Sequence, residues 1–511
     1  MPVSDAYRPD PRFAALGPEF GDAVAPAPFG ELTLRVRNDR AAATVGLASL
    51  TDAEWIEHFG RFRPLPGQPG PIAMRYHGHQ FRQYNPDLGD GRGFLAAQMR
   101  ETAETGGALK QRGSASRASA PSPARLLDLG TKGSGTTPWS RGGDGRLTLK
   151  GGVREVLAAA MLEARGVPTS RALSLIETDE RLERNDEPSP TRASVLVRLS
   201  HSHIRLGTFQ RAAFHRRADM IEALIEHVRT LYHPDVAPGD APGLLTAVVR
   251  ANARLAAAWV AAGFVHGVLN TDNLNVTGES FDYGPWRFLP RYDPAFTAAY
   301  FDQSGLYAFA RQPEAVFWAL TQFAGCLKLV GDSAAQVQAL TDALNGFGPA
   351  YIAELRAAFL RRLGVRSLGE AADQRLMDAT LALLREGDEA PGQKESGQKD
   401  PSQKEPGQKE LGWEPLFHDW FGGFASSARA VAGPRARLYQ GKVFDDFRFA
   451  LFEHEPDRPE RLEHPAFAAA DPEDLLIEEV EALWSGIDRD DDWSALHDKL
   501  ARIEQTRAAR S

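Results

Sequence analysis

The chain contains a spaced set of polar residues that suits metal-assisted phosphate chemistry. His266 and Asn273 are seven positions apart, and the triplet Asp282-Tyr283-Gly284 follows them. In the motif H-R-D-x-x-x-x-N followed by D-F-G, the Asn and the last Asp hold Mg²⁺, while the first Asp accepts a proton. Asn273 and Asp282 match the two metal-holding positions. A buried structural histidine beside an ordinary turn is the alternative.

The proton-accepting position of that motif is changed. Val268 stands two residues after His266, where the motif has its catalytic Asp. A valine side chain can accept neither a proton nor a hydrogen bond. The pattern therefore predicts that the metal-holding residues are present but that the usual base for phosphoryl transfer is missing.

Glycine-rich stretches earlier in the chain could form a phosphate cradle. Residues 88–93 read Leu-Gly-Asp-Gly-Arg-Gly and residues 143–146 read Gly-Asp-Gly-Arg. Glycine lets backbone N–H groups approach a phosphate closely, although each stretch alone is more often a plain turn. Lys132 ends a strand-like run between them, and Glu155 lies in the helix that follows. Such a glutamate can fix a lysine on ATP phosphates, whereas a solvated pair is the alternative.

Two arginines flank a short polar segment after another predicted strand. Arg198 and Arg205 could both face a polyphosphate if a turn intervenes. His201 and His203 lie between them, but no third metal ligand follows at a suitable spacing, so a structural role is predicted for both.

The elements that must position these residues change character along the chain. Short runs bounded by Gly, Pro or Asp predict strands at 94–99, 125–131, 146–150, 172–176 and 193–199. One helix is predicted among them, from Val153 to Ala164, and longer helices follow at 220–232 and 244–262. We therefore expect an α+β fold with a sheet-rich half, a helical half and a cleft between them.

Composition favours a soluble globular protein. The 511 residues include 59 Lys or Arg and 68 Asp or Glu, which gives a net charge of −9 and argues against a broad basic surface for nucleic acid. No apolar stretch reaches the length of a membrane span, and the N-terminus lacks the pattern of a secretory signal. A cytoplasmic monomer without nucleic-acid or membrane binding is expected.

Two low-complexity stretches punctuate the chain. Residues 102–124 are rich in Gly, Ser and Ala and predict a flexible loop, while residues 392–411 carry a five-residue repeat in four copies that predicts a solvated linker. The predicted organisation is an N-terminal extension at 1–30, a nucleotide-binding half at 31–210, a helical half at 211–390, a linker at 391–412 and an accessory region at 413–511 with helices at 472–484 and 492–507.

These motifs resemble those of the selenoprotein O family, pseudokinases that act as protein adenylyltransferases. The matching stretches cover about residues 30–330 and are GHQF (78–81), PDLGDGRG (86–93), KGSGTTPWSR (132–141), GDGR (143–146), VREVL (153–157), GVPTSRAL (166–173), SHSHIRLGTF (200–209), GFVHGVLNTDN (263–273) and DYGPW (282–286). The resemblance implies a bilobal protein-kinase-like fold in which ATP lies flipped relative to a kinase, so that AMP is transferred and pyrophosphate leaves.

The resemblance also implies roles for residues at the matching positions. Asn273 and Asp282 would hold Mg²⁺ or Mn²⁺, and Asp272 would accept the proton of a Ser, Thr or Tyr hydroxyl on a protein substrate. Glu155 would orient Lys132. Contacts with ATP are implied for Gly89, Gly91, Arg92, Lys132, Asp144, Gly145, Arg198, Arg205 and Asp282.

The chain departs from the family pattern at several positions. Arg82 stands where a Gly is usual, Thr136 stands where an Arg is common, and residues 150–152 read Lys-Gly-Gly instead of Arg-Ser-Ser. The family's C-terminal pair of Cys or selenocysteine is absent. Cys326 is the single cysteine and lies in an apolar run that predicts a buried thiol, so control through that disulfide is excluded.

Three functions remain open at this point. The first and preferred one is a protein adenylyltransferase that uses ATP with Mg²⁺ or Mn²⁺. The second is a phosphotransferase acting on a small molecule or a protein, against which Val268 counts. The third is a catalytically silent ATP-sensing scaffold, which predicts nucleotide binding without turnover.

Overall fold

An antiparallel sheet in the N-terminal part is followed by a long series of helices. The computed structural model describes residues 3–102, 124–185, 187–386 and 411–510. The loop predicted at 102–124 and the linker predicted at 391–412 fall almost wholly outside these residues. The predicted mixed α/β character, with the sheet in the first part, is confirmed.

The described strands form one large sheet and two small two-stranded sheets. They are β1 (Gly21–Ala23), β2 (Leu32–Arg37), β3 (Ile72–Met74), β4 (Gly78–Gln80), β5 (Gln83–Asn85), β6 (Leu95–Arg100), β7 (Leu126–Lys132), β8 (Leu147–Thr148), β9 (Arg171–Leu182), β10 (Thr191–Ser200), β11 (Phe264–His266) and β12 (Trp286–Phe288). The large sheet has the order β1-β3-β6-β7-β10-β9-β2, with β8 paired to β10. β4 pairs with β5, and β11 pairs with β12.

The central strands of the large sheet are buried on both faces. Every residue of β7 and β10 is buried. Because side chains alternate along a strand, Val195 and Val197 pack on one face with Trp55, whereas Leu196 packs on the other face with Leu157. Both strands were predicted from their apolar runs, and the structure confirms them. Lys132 at the end of β7 and Arg198 in β10 are therefore buried with the strands that carry them.

The helix that carries Glu155 begins earlier than the sequence pattern predicts. α3 spans Leu149–Ala164, and the Thr148 side chain accepts a hydrogen bond from the Gly151 N–H at 3.1 Å. This cap starts the helix at once after β8. The predicted strand at 146–150 is therefore wrong at its end, since Leu147–Thr148 alone is extended and paired.

The remaining described helices dominate the second part of the chain. They are α1 (Asp39–Ala43), α2 (Asp52–Phe59), α4 (Leu206–Phe214), α5 (Ala218–Tyr232), α6 (Ala241–Ala261), α7 (Gln312–Leu327), α8 (Ala334–Asn345), α9 (Phe347–Leu363), α10 (Glu370–Arg385), α11 (Trp413–Asp419), α12 (Ser427–Ala432), α13 (Lys442–Phe452), α14 (Ile477–Asp490) and α15 (Ser494–Arg510). α5 and α6 confirm two predicted helices, and Cys326 is buried in α7 as predicted. α6 has the length and apolar composition of a membrane span, but 72% of that span is buried among other elements, as in a core helix.

The C-terminal helices pack in two different places. α11 and α13 share an apolar core with α9 and α10. α14 and α15 instead join the core around α3, where Trp484, Ile487 and Ile503 lie with Val156. Both helices were predicted, with ends a few residues away from those observed. The last part of the chain therefore supports the helix that carries Glu155.

Candidate active site

A polar cavity of about 720 Å³ lies between the large sheet and the segments that follow α6. Its walls bring together residues from eight separate stretches of the chain. Most of the predicted nucleotide and metal residues line it, namely Gly89, Gly91, Arg92, Lys132, Asp144, Gly145, Arg198, Arg205, Asp272, Asn273 and Asp282. Glu155 lies behind Lys132 and does not line the cavity. The volume is within the range of sites for small ligands.

Lys132 is held at the cavity wall by two carboxylates. Its ammonium group, at the end of β7, pairs with Glu155 of α3 and lies 2.7 Å from Asp282 Oδ1. The Lys132 side chain is 8% exposed and that of Glu155 is 4% exposed. The pairing predicted from the lysine and the helix glutamate is therefore present.

Asp282 is the point where three cationic side chains meet. Besides Lys132, its carboxylate pairs with Arg198 Nη1 at 3.2 Å and Arg205 Nη1 at 3.4 Å. Burial alone would raise the pKa of Asp282, but the three cations hold it well below its ordinary value. Asp282 also adopts a left-handed backbone with φ of 64°, which is unusual outside glycine. The site thus concentrates positive charge around one ionised carboxylate.

A short turn presents Asp272 to the same cavity. Residues Thr271–Asn273 form a single 3-10 turn, and the Thr271 hydroxyl accepts the His79 N–H at 2.7 Å. Asp272 Oδ1 is buried and has no hydrogen-bond partner among the described residues. Burial raises the pKa of Asp272 to about 6, against the opposing charge of Arg205. A carboxylate with a raised pKa and an unused oxygen is suited to accept a proton.

Asn273 and Asp282 fit the donor set of a Mg²⁺ or Mn²⁺ site. The Asn273 Nδ2 group donates to the Val268 carbonyl at 2.9 Å, which leaves the amide oxygen available as a ligand. The described residues contain no cluster of three or more His, Cys, Asp or Glu that could hold a metal by themselves. A Mg²⁺ site commonly uses one or two protein ligands together with phosphate oxygens.

His266 has a structural part in this arrangement. It is buried at 2% exposure, and its Nε2 lies 3.0 Å from the carbonyl oxygen of Phe281, directly before Asp282. Its backbone N–H donates to Gln312 Oε1 at 2.9 Å. His266 at the end of β11 therefore positions the backbone next to Asp282, and Asn273 lies in the turn that follows this strand.

The glycines of the first glycine-rich stretch are required by close packing. A Cβ on Gly89 would lie 2.4 Å from Trp139 Cγ, and one on Gly93 would lie 2.1 Å from the Thr131 carbonyl oxygen. The Trp139 indole N–H donates to Asp22 Oδ2 at 2.8 Å. Packing alone thus explains part of a pattern that also suits phosphate binding.

Asp144 is already engaged by another side chain. Arg184, in the connection between β9 and β10, donates to both Asp144 carboxylate oxygens at 2.8 and 3.1 Å. Arg146 on the same loop donates to Glu180 at 2.6 and 2.7 Å. Two bidentate ion pairs therefore fasten this loop to the end of β9.

Several residues that line the cavity were not assigned a role from the sequence. Three of them, Asp90, Trp139 and Arg141, lie inside recognised motifs. Their position in those motifs could have marked them as candidates for the site. Arg184 belongs to a polar loop without any motif. His203 also lines the cavity, with its ring nitrogen Nε2 3.5 Å from Ser200 Oγ, consistent with the structural role predicted for it.

The cavity gathers the residues that the sequence analysis associated with a nucleotide and a metal ion. Comparison with known proteins gives the family. The family model described as "Protein adenylyltransferase SelO" matches residues 5–120 and 120–390. The chain belongs to this family, and it is a nucleotidyltransferase that takes ATP as a substrate. The resemblance to the selenoprotein O family is therefore confirmed.

Relatives of similar length support this assignment. The chain is 44% identical over 500 residues to a protein from Synechococcus elongatus named "Protein nucleotidyltransferase YdiU", with 96% of this chain and 94% of the relative covered. It is 39% identical over 522 residues to a protein of the same name from Trichodesmium erythraeum, covering 97% and 98% of the two chains. A Bradyrhizobium protein with that name is 37% identical over 380 residues, covering 73% and 72%.

Proposed function

We propose that the chain transfers AMP from ATP to Ser, Thr or Tyr hydroxyl groups of proteins and releases pyrophosphate. The observation that supports this most is the convergence of Lys132, Arg198 and Arg205 on one side of the cavity. Such a cluster suits the β- and γ-phosphates as the leaving group. Val268 at the usual base position argues against transfer of the γ-phosphoryl group.

In this proposal the fold is bilobal and kinase-like, with ATP flipped relative to a kinase. Residues 31–210 would form the sheet-rich lobe and residues 211–390 the helical lobe, joined through 391–412 to an accessory region at 413–511. The protein is also proposed to be a cytoplasmic monomer that binds neither nucleic acid nor membrane. The position of the cavity, between the sheet and the segments after α6, supports the two-lobed arrangement.

The proposed chemistry is a single displacement at the α-phosphorus. The acceptor oxygen forms a bond to the α-phosphorus as the bond from that phosphorus to the bridging oxygen of the β-phosphate breaks. The hydroxyl proton passes to Asp272, whose Oδ1 atom has no hydrogen-bond partner in the described part of the chain. Lys132, Arg198 and Arg205 hold the negative charge that develops on pyrophosphate.

A divalent cation completes this site in the proposal. Asn273 and Asp282 would hold Mg²⁺ or Mn²⁺, because one presents a free amide oxygen and the other an ionised carboxylate. When bound, the cation supplies charge stabilisation for the phosphates.

Incubation with ATP labelled at the α- or γ-phosphate tests the proposed reaction directly. Wild-type protein should transfer the α-label to protein acceptors, and Asp272→Asn should lower this transfer by about 10²- to 10⁴-fold. Asp272→Asn should still bind ATP, since the phosphate-binding cations remain. Asp332→Asn, at an exposed position outside the cavity lining, serves as the control and should transfer normally.

The same experiment separates the other two functions. Label that reaches protein from the γ-position alone would show a phosphotransferase and contradict the proposal. Tight ATP binding without transfer of either label would show a silent scaffold. Full transfer of the α-label by Asp272→Asn would support AMP transfer but contradict the role of Asp272 as proton acceptor.

A further inference from the structure

The cavity is lined by a further, largely buried carboxylate that the proposed reaction does not use. Asp90 lies in the glycine-rich stretch 88–93, and its side chain is 12% exposed. Burial raises the pKa of Asp90, while Arg205 opposes this shift. A carboxylate repels phosphate, so its presence beside a triphosphate site requires another explanation.

The contacts of Asp90 tie three parts of the site together. Its Oδ2 accepts the Met74 N–H at 3.0 Å, and its own N–H donates to the Met74 carbonyl at 3.0 Å. Its carbonyl oxygen accepts the Thr137 hydroxyl at 2.6 Å. Its Oδ1 lies 3.4 Å from Arg205 Nη2. Asp90 therefore joins β3, the loop after β7 and the arginine that precedes α4.

Arg205 is oriented from two sides. Its Nη2 faces Asp90, while its Nη1 donates to the Asp272 carbonyl at 2.7 Å and lies 3.4 Å from Asp282. The guanidinium plane lies over the rings of Tyr76 at 4.5 Å and Phe281 at 4.9 Å. Asp90 thus contacts one amino group of the guanidinium, while the Asp272 carbonyl accepts a hydrogen bond from the other.

Asp90 and Asp282 differ in how their charge is shared. Asp282 pairs with Lys132, Arg198 and Arg205, whereas Arg205 is the one cationic partner of Asp90 within the described residues. We infer that Asp90 is a positioning residue, which orients Arg205 toward the pyrophosphate end of ATP and fixes the glycine-rich stretch to β3. This inference rests on the proposed function, because it concerns the leaving group of that reaction.

The direction in which Asp90→Asn changes ATP affinity tests whether Asp90 orients Arg205. If Asp90 were merely one more negative charge near the triphosphate, its neutralisation would strengthen ATP binding. If Asp90 orients Arg205, Asp90→Asn should weaken ATP binding and lower kcat for AMP transfer by about tenfold, with a smaller change in acceptor KM. The asparagine oxygen can still accept the Met74 N–H, so the stretch stays attached to β3.

A matched control lies in the same segment. Asp87 is exposed, and its carboxylate has no hydrogen bond or ion pair within the described part of the chain. Asp87→Asn makes the same chemical change three positions earlier and should leave ATP affinity and kcat unchanged. If Asp90→Asn does not fold, Asp90→Ser offers the same comparison, because it also removes the carboxylate charge and leaves a small polar group at this position.

A double-mutant cycle shows whether Asp90 acts through Arg205. ATP affinity is measured by titration with a fluorescent ATP analogue in Asp90→Asn, Arg205→Ala and the double variant. We expect Asp90→Asn to have little further effect once Arg205 is absent. Equal losses in both backgrounds, or tighter ATP binding by Asp90→Asn, would overturn the inference. Because this readout is affinity, it holds even if the wild-type protein transfers no AMP, an outcome that would contradict the proposed function instead.

Discussion

At the scale of single residues, charge governs the candidate site. Lys132, Arg198 and Arg205 lie close together with their side chains at most 8% exposed. Cations at this density repel each other unless anions intervene. Asp282 pairs with all three cations in the structure. Glu155 and Asp90 each pair with one of them, and the phosphates of ATP can supply further negative charge. The cluster should therefore be more stable when ATP is bound.

The first prediction concerns Lys132. Mg-ATP should raise the melting temperature of the wild-type protein, because a ligand at about 100 times its Kd adds about 2.7 kcal/mol of stability. Lys132→Ala should remove most of this shift, measured relative to its own unliganded form. Lys442→Ala, which removes an exposed lysine of α13, should keep the full shift. An unchanged shift in Lys132→Ala would contradict its proposed contact with ATP.

At the scale of elements, backbone conformation decides what the glycine-rich loop tolerates. Gly145 has φ of 70°, and a Cβ there would lie 2.2 Å from the carbonyl carbon and oxygen of Gly135. Gly142 has φ of 78°, but a Cβ at that position would have no other atom within 4 Å among the described residues. The two glycines share a left-handed backbone and differ in the space around them.

This difference leads to a paired prediction for alanine substitutions. Gly142→Ala should cost about 1 kcal/mol, the usual penalty for a left-handed L-residue. Gly145→Ala should cost clearly more and should also weaken ATP binding, because the added methyl group overlaps the backbone of the neighbouring loop. Urea denaturation and ATP titration measure both effects. Equal losses for the two variants would show that the loop relaxes around residue 145.

At the scale of the whole molecule, one buried carboxylate joins distant parts of the chain. Glu414 at the start of α11 is fully buried and pairs with Arg165 after α3, Arg362 of α9 and Arg510 of α15. Burial alone would raise the pKa of Glu414, but these arginines hold it far below its ordinary value. The pairs connect the helix of Glu155 to the C-terminal part of the chain.

Removal of this carboxylate charge should destabilise the protein in a pH-dependent way. Glu414→Gln leaves three buried arginines without their shared partner and should cost about 3–5 kcal/mol of unfolding free energy near pH 7. The native pKa lies below the unfolded value of about 4.3, so the stabilisation is complete above that pH and declines as the pH falls below it. The difference between wild type and variant should therefore shrink as denaturation is measured at progressively lower pH.

An exposed glutamate provides the comparison for that experiment. Glu453 pairs with Arg375 at the surface, at 2.9 Å. Glu453→Gln should change the unfolding free energy by less than about 1 kcal/mol at any of these pH values. A loss in Glu414→Gln as small as this, or one that grows toward acid pH, would contradict the role assigned to the buried cluster.

The sequence alone determined the local parts of this protein. The apolar runs of β7 and β10 and the helices α5 and α6 were predictable, because alternation and helical spacing depend on residues close in the chain. The pairing of Lys132 with Glu155 was suggested by analogy with protein kinases, and its spacing alone left a solvated pair open. The family was also recognisable from ordered motifs. Which residues hold the metal and the nucleotide stays a prediction, although the structure gathers them around one cavity.

The tertiary structure decided which distant side chains meet. Nothing in the spacing of residues indicates that Asp90 faces Arg205, that Arg184 engages Asp144, or that α14 and α15 pack on α3. These contacts join segments far apart in sequence. They stabilise the folded chain because packing removes water from both partners at once. A local sequence pattern does not show which distant residues are buried together. The arrangement of charges in the cavity was therefore seen in the folded structure and not in the sequence.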